Sequence, residues 1–324
     1  MPEVSPSVLI IRLDAIGDAL ALTPSIAALR RQAIAVDVVL RRANANAFAP
    51  NAVRDVIVAG FELRDGSRSN RNAIERLGRD LRERRYSHVL VATEDLGGYR
   101  LAAAAGAPTR IGFEDPWTKP LKALWSRRML TKSVYRSAKL TGRCEHECVT
   151  LFKLVEPLAG DEKPTRDLAQ LRPLLLESEP APDDRVAVQI TDKWERLGIP
   201  LDSVVELVRR LAASSELHLL SSRSESAYAQ SVERATGIAV SYFDDLPSWK
   251  AAIAAAVALV APDSGAVHVA GMTGTPVVAV FPPMALYDAW VARWAPWATV
   301  HRIVRADNGW PARAADALAL LRST

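Results

Sequence analysis

The sequence predicts an α/β protein of two doubly wound halves, each a mostly parallel sheet wrapped by helices. Three observations carry that expectation. Short continuous apolar runs alternate with amphipathic stretches from Val8 onward, a proline-rich acidic break lies at 177–185, and the alternation begins again at Val186. Strands buried on both faces read as unbroken apolar runs, and their regular interleaving with helices makes them parallel. At 324 residues the chain is long for one core and natural for two of about 150 each.

The first strand is Val8 to Ile11. After a short loop closed by Gly17-Asp18, Ala19, Leu20, Leu22, Ile26 and Leu29 recur at helical spacing, with Arg30 and Arg31 at the carboxyl end where the helix dipole favours them. Thr23-Pro24 kinks or restarts this helix, because proline suits a first turn and not an interior. Asp18 therefore follows the carboxyl end of a buried strand, where open α/β sheets place their chemistry. A helix cap is its alternative role.

Ala35–Leu40 and 55–59 read as further strands, 61–72 as a loop, and 72–85 as a helix with Ile74, Leu77 and Leu81 on one stripe. A strand at 88–92 and a small-residue helix at 99–105, ended by Gly106, complete the alternation. From Trp117 to Arg143 the character shifts. Lys119, Lys122, Arg127, Arg128, Lys132, Arg136, Lys139 and Arg143 interleave with Trp117, Trp125 and Tyr135, without one acid. Such a stretch can grip phosphates or lie against an anionic bilayer; a solvated face is the plainer reading. A helix is expected at 146–159, on Leu151, Leu154, Val155 and Leu158.

Cys144 and Cys148 flank His146, but four-residue spacing on a helix puts both thiols on one face and the imidazole elsewhere, with no fourth ligand in sight. Reduced, packed thiols and no metal are the expectation. Residues 177–185 form the linker. Beyond it come strands at 186–190, 217–220, 238–241, 257–261 and 277–281 with helices at 202–213, 224–236 and 247–256, an architectural echo of the first half without a short repeat.

The second half keeps its polar groups at strand ends. Asp263, Ser264 and Gly265 fall at a helix start after one strand, where free backbone N–H groups and the dipole make an anion site; His268 lies one turn in. Lys193, two residues after Thr191, ends another strand where an ammonium can balance a departing phosphate. Ser222 and Glu225 close a third, where hydroxyls and a carboxylate can hold a ribose. Trp290, Trp294 and Trp297 can wall a sugar or a base, with core packing the simpler role for at least two.

Composition narrows the classes. A formal net charge of +4 and a pI near 9.2 do not demand nucleic acid, and none is expected as a partner. The longest apolar run, Ala251 to Ala261, has eleven residues, short of the ~20 a spanning helix needs. The first six residues lack the basic region and apolar core of an export signal, so a cytosolic protein is expected. Neither half has Gly-x-Gly-x-x-Gly or Gly-x-x-x-x-Gly-Lys-Ser/Thr, and hydride transfer and NTP hydrolysis lose ground.

Taken together, three stretches resemble the heptosyltransferase family, glycosyltransferase family 9, whose members add ADP-heptose units to the lipopolysaccharide core. They are Leu9-Ile-Ile-Arg-Leu-Asp-Ala-Ile-Gly-Asp-Ala-Leu20 with Thr23-Pro24; His146-Glu147 before a leucine-bearing helix; and Pro262-Asp-Ser-Gly-Ala-Val-His-Val-Ala-Gly271 with Gly274-Thr-Pro-Val-Val-Ala-Val-Phe281. The match spans nearly the whole chain. The resemblance implies a GT-B fold, two Rossmann-like domains facing across a cleft: an acceptor domain at 1–176, the 177–185 linker acting as a hinge, and a nucleotide-sugar domain at 186–324 whose last helix is a candidate to pack back on the first. It implies inverting transfer with no metal and no cofactor beyond the nucleoside-diphosphate sugar, an ADP-linked heptose. By position, Asp18 matches the general base and Lys193 the phosphate-contacting lysine. Thr191, Ser222, Glu225, Asp263, Ser264, Gly265 and His268 fall on the donor side; Asp14, Gly17, Lys119, Lys122, Arg127 and Arg128 fall on the acceptor side. The acceptor would be a lipid-linked or core glycan, met at the anionic cytoplasmic face of the inner membrane. Three departures bear on the donor: the Asp-Lys-x-Trp-Pro signature has drifted after Asp192, Ser264 replaces threonine, and a glycine is missing near Ser222. A non-catalytic GT-B protein that binds a nucleotide or a partner is the alternative.

Overall fold

The structure, a computed structural model, describes residues 6–137 and 144–323. Two compact units divide between Thr165 and Arg166. In the first, β1 (Ser7–Ile11), β2 (Ala35–Leu40), β3 (Asp55–Val58), β4 (His88–Val91), β5 (Thr109–Glu114) and β6 (Lys132–Tyr135) form a sheet in the order β3-β2-β1-β4-β5-β6. In the second, β7 (Asp183–Gln189), β8 (Leu217–Ser222), β9 (Val240–Phe243), β10 (Ala256–Pro262), β11 (Val277–Phe281) and β12 (His301–Arg305) lie in the order β12-β11-β10-β7-β8-β9. Every pairing is parallel. Read from the other edge, the second order repeats the first, and both are the Rossmann order. Each sheet therefore has one point where successive crossovers leave in opposite directions, between β1 and β4 and between β7 and β10. Ligand crevices open there, at the carboxyl ends of the strands.

The central strands are apolar because both faces are covered. Leu9, Ile11, Val89 and Val91 are sealed under Leu81, Tyr99 and Leu101 in the first unit; Val188, Val260 and Val278 are sealed under Val204, Leu207 and Leu318 in the second. The opening helix does restart at Thr23-Pro24: it runs Ile16–Leu20, turns, and resumes at Thr23–Arg31, with the Thr23 hydroxyl donating to Leu20 O at 2.6 Å.

Several elements differ from expectation. β5, β6 and β12 read as no element in the sequence: β6 and β12 are edge strands with partly exposed residues, and in β5, Thr-Arg-Ile-Gly-Phe-Glu, charged residues and a glycine break up the apolar run. The helix expected from 72 begins at Arg68, since Ser67 caps it by accepting from Asn70 N at 3.1 Å. The helix expected over 146–159 is two, Glu147–Phe152 and Glu156–Ala159, the second restarting with Pro157 in its first turn. Residues 166–176, expected in the first domain, cluster with the second unit, and β7 starts at Asp183 inside the expected linker. The last helix, Trp310–Arg322, is spent on its own unit: Trp310, Ala314, Leu318 and Leu321 enter the core over β10–β12. Cys144 precedes the helix that carries Cys148, so the two thiols do not share a helical face, and neither is in a disulfide; among the described residues no cluster suited to a metal occurs. Among the described residues no helix is long and apolar enough to cross a membrane.

Candidate active site

The crevice of the first unit is a charge cluster. Asp18, third residue of its short helix, accepts from Ala15 N at 3.1 Å and from Arg12 Nη2 at 2.8 Å. The plainer expectation for Asp18, a helix cap, is thus half met, yet its side chain stays 26% exposed and open to a ligand. Arg12, at the end of β1, is only 2% exposed; it also donates through Nε to Asp18 O at 3.1 Å and through Nη1 to Ala92 O past the end of β4. Its Nη2 lies 3.2 Å from Glu147, which is fully buried and held on its other side by Arg136 at 2.9 and 3.0 Å. Asp14 completes the cluster at 3.5 Å from Arg12 Nε, its Oδ2 buried without a hydrogen bond. Burial raises the Asp14 carboxyl above its ordinary range, against the pull of Arg12. Gly17 is buried in the same turn.

Asp14 also lines a cleft of about 760 Å³ within this unit, with Glu62, Arg64, Glu94, Arg100, Lys119, Lys122 and Trp125. Lys119 and Lys122 therefore line the same cleft as Asp14. They do not arrive as free cations. Lys119 Nζ donates to Glu94 Oε2 at 2.6 Å and Lys122 Nζ to Glu94 O at 2.7 Å. Although burial works against its charge, Glu94 is held below the usual carboxylate range by these lysines; burial likewise pulls the Lys122 ammonium down. Arg127 lies outside the cleft on Glu114, at 2.8 and 3.1 Å, and Arg128 is exposed beside it. Four of the described cations of the acid-free run, Lys119, Lys122, Arg127 and Arg136, are thus met by Glu94, Glu114 and Glu147, which come from other elements, whereas Arg128 and Lys132 stay exposed. Lys139 and Arg143 lie outside the described residues. What the segment does present outward is apolar: Trp117 is 83% exposed and Leu121 82%, with Leu124 and Tyr135 more than half exposed.

In the second unit, Thr191 and Lys193 follow β7 and Asp263 to His268 follow β10, the two adjacent strands at which the crossovers reverse, while Ser222 and Glu225 follow β8. β7 runs into Thr191, whose Oγ1 accepts from Lys193 N at 3.1 Å and starts the helix Lys193–Arg196. After β10, Asp263 is buried and accepts from Trp290 Nε1 at 2.9 Å, and Ser264 and Gly265 open the helix Gly265–Thr273. Ser264 is the N-cap by its extended backbone, yet its buried Oγ accepts from no helix N–H and has no hydrogen-bond partner. A buried hydroxyl left over at a helix N-terminus is a donor without an acceptor, which is what a phosphate oxygen supplies. His268 is 5% exposed, edge-on to Trp294 at 5.7 Å. Gly274 ends this helix at φ +88°, and a Cβ there would sit 2.7 Å from Leu168 Cδ1, so only glycine fits both demands.

Glu225, past β8, faces Arg196 at 3.7 Å; burial and neighbouring Asp192 raise its carboxyl, while a hydrogen bond from Thr191 opposes them. Ser222 is tied locally, capping the next turn and 2.7 Å from Ser224 Oγ. Of the three tryptophans, Trp297 is buried under Arg166, whereas Trp290 and Trp294 wall the Asp263–His268 turn. Sequence reasoning had Arg12 and Glu147 only inside motifs and Arg136 only as one member of a basic run; the signal for Arg12 is a charged residue closing an otherwise apolar strand.

Comparison with known proteins bears on the fold and on the second half of the chain. Residues 215–317 match the model of glycosyltransferase family 9 (heptosyltransferase), a stretch that includes the Asp263–His268 turn. No curated protein sequence matches the chain. Among solved structures, the glycosyl transferase family 9 protein from Veillonella parvula DSM 2008 is similar over 99% of both chains, at 14% identity and TM-score 0.75. The ADP-heptose lps heptosyltransferase II of E. coli is similar over 97% of this chain and 98% of its own, at 16% identity and TM-score 0.71. E. coli heptosyltransferase WaaC with ADP follows over 98% and 99%, at 18% identity and TM-score 0.69. The fold is thus GT-B, with two Rossmann-like units.

Proposed function

We propose that this chain, a glycosyltransferase that carries the family 9 heptosyltransferase domain, transfers a heptose from an ADP-linked donor to a hydroxyl of a lipopolysaccharide-core or related glycan, with inversion and without a metal. The observation that carries the donor half is the start of the helix Gly265–Thr273: backbone N–H groups, the dipole and the unpaired Ser264 hydroxyl converge at one crevice edge, with Lys193 at the neighbouring strand end. These groups would take up charge on the departing diphosphate, and Glu225 with Thr191 would read the ribose. In the first unit Asp18 would remove the acceptor's proton, while the cleft at Asp14, Lys119, Lys122 and Trp125 holds the acceptor sugar. Binding of ADP to the E. coli relative fits the nucleotide assignment.

A thermal-shift series in EDTA tests the donor reading. ADP should raise the melting temperature more than UDP, GDP or CDP, because stabilisation grows with affinity. Lys193→Ala should weaken ADP about tenfold or more, as loss of one charge-assisted phosphate contact does. Equal shifts for all four nucleotides, or a Lys193→Ala response like wild type, would remove the assignment.

The acceptor's lipid side would be met at the anionic cytoplasmic face of the inner membrane. Exposed Trp117, Leu121 and Leu124 lie in the same segment as Arg127 and Arg128, an apolar and basic combination suited to that interface. Reversing both arginines to glutamate should weaken sedimentation with anionic vesicles at least about tenfold, at ~1 kcal/mol for each basic residue near such a surface. Binding that survives the reversal would end the membrane assignment.

A further inference from the structure

The candidate base is gripped by an arginine, which raises a chemical difficulty. Arg12 Nη2 lies 2.8 Å from Asp18 Oδ1, a contact that orients the carboxylate but also occupies an oxygen that an acceptor hydroxyl would need. Arg12, however, is shared. The same Nη2 that donates to Asp18 lies 3.2 Å from Glu147 Oε1, and Glu147 has no solvent contact. Such a carboxylate is costly to bury, and an apolar side chain would fill the position more cheaply. Burial pushes the Glu147 carboxyl up, with Arg136 and Arg12 opposing it.

The groups facing Asp18 can be enumerated. Arg12 comes from the end of β1, Asp14 from the loop after it, and Glu147 from the start of the helix Glu147–Phe152, with Arg136 behind Glu147. Among the described residues, the single Arg12 guanidinium therefore meets three carboxylates, more than one positive charge can balance. We propose that Glu147 is a positioning residue: by holding Arg12 from the far side, it lets the arginine fix the orientation of Asp18 without quenching its basicity. The functional half of this inference rests on the reading of Asp18 as the general base. The electrostatic half stands by itself.

Carboxyl-carbon NMR titration of the full chain tests it without any substrate, the Asp18 signal being the one that Asp18→Asn removes. Glu147→Gln keeps the shape and deletes the charge; the midpoint of the Asp18 signal should then fall by about one pH unit, as loss of a neighbouring like charge requires. Glu147→Asp should leave the midpoint near wild type. Arg136→Gln deletes a positive charge instead and should move the midpoint upward, which supplies a second reading should Glu147→Gln not fold. A Glu147 that merely packs would lower the melting temperature and leave the midpoint unmoved. That outcome in Glu147→Gln, or in Arg136→Gln where the former does not fold, overturns the inference. Full turnover in Asp18→Asn would instead overturn the base assignment, so the two failures are distinguishable.

Discussion

Replacing Asp18 by asparagine should lower turnover by about 10²-fold to 10⁴-fold, the range that general-base assistance supplies, while ADP binding stays within about twofold of wild type. The substitution is nearly isosteric, and the amide oxygen can still accept from Arg12 at the position now 2.8 Å away. What changes is the second oxygen, which accepts from Ala15 N at 3.1 Å and becomes an NH₂ facing another donor. A local stability cost of about 0.5–1.5 kcal/mol follows from that lost, solvent-exposed bond. It does not unseat Arg12, which retains Glu147 and the Ala92 carbonyl. Because Asp18 belongs to the first unit and the proposed nucleotide contacts to the second, the thermal shift with ADP serves as the internal control. A variant that folds, binds ADP and fails to transfer fits the base assignment, whereas one that transfers normally excludes it.

How much of this was legible in sequence depends on whether a feature is local. The covered strands β1, β10 and β11 announce themselves as continuous apolar runs, β2 and β7 as shorter ones, and the turns carrying Asp18 and Ser264 follow directly from strand followed by helix. The edge strand β6, Lys132–Tyr135, has no fully buried residue and reads like loop. Charge was the feature least visible in one dimension. Glu94 lies 25 residues before Lys119, and Glu147 lies 135 after Arg12, so a stretch that looks uniformly cationic is largely paired and a buried ionic network looks like scattered charges. The division of the chain was equally hidden. Proline and acid content marked 177–185, yet Arg172 donates to Thr273 O and Lys250 to Leu175 O at 2.7 Å, contacts that tie the residues ahead of β7 into the second unit.

Trp194→Ala should produce the largest loss of stability, about 3–5 kcal/mol, typical of a fully buried tryptophan cut to alanine. Trp194 is 0% exposed in the core of the second unit, stacks on Trp310 with ring centroids 5.5 Å apart, and donates Nε1 to Gln189 O at 3.0 Å. At roughly 2–4 °C per kcal/mol for a unit of this size, melting should fall by about 6–20 °C. The position matters for function because the helix Lys193–Arg196 has four residues, too few to hold itself by its own hydrogen bonds. Its anchor is the neighbouring indole, so Lys193 is aimed by Trp194. Trp194→Phe keeps a ring against Trp310 and loses the N–H bond, and it should cost about 1–2 kcal/mol. Differential scanning calorimetry should therefore rank wild type above Trp194→Phe and Trp194→Ala last, with the ADP-induced shift shrinking in the same order. If melting falls as expected while the ADP shift stays whole, the tryptophan supports the fold without aiming the lysine, and the positive charge at the donor crevice must be placed by the Thr191 cap alone.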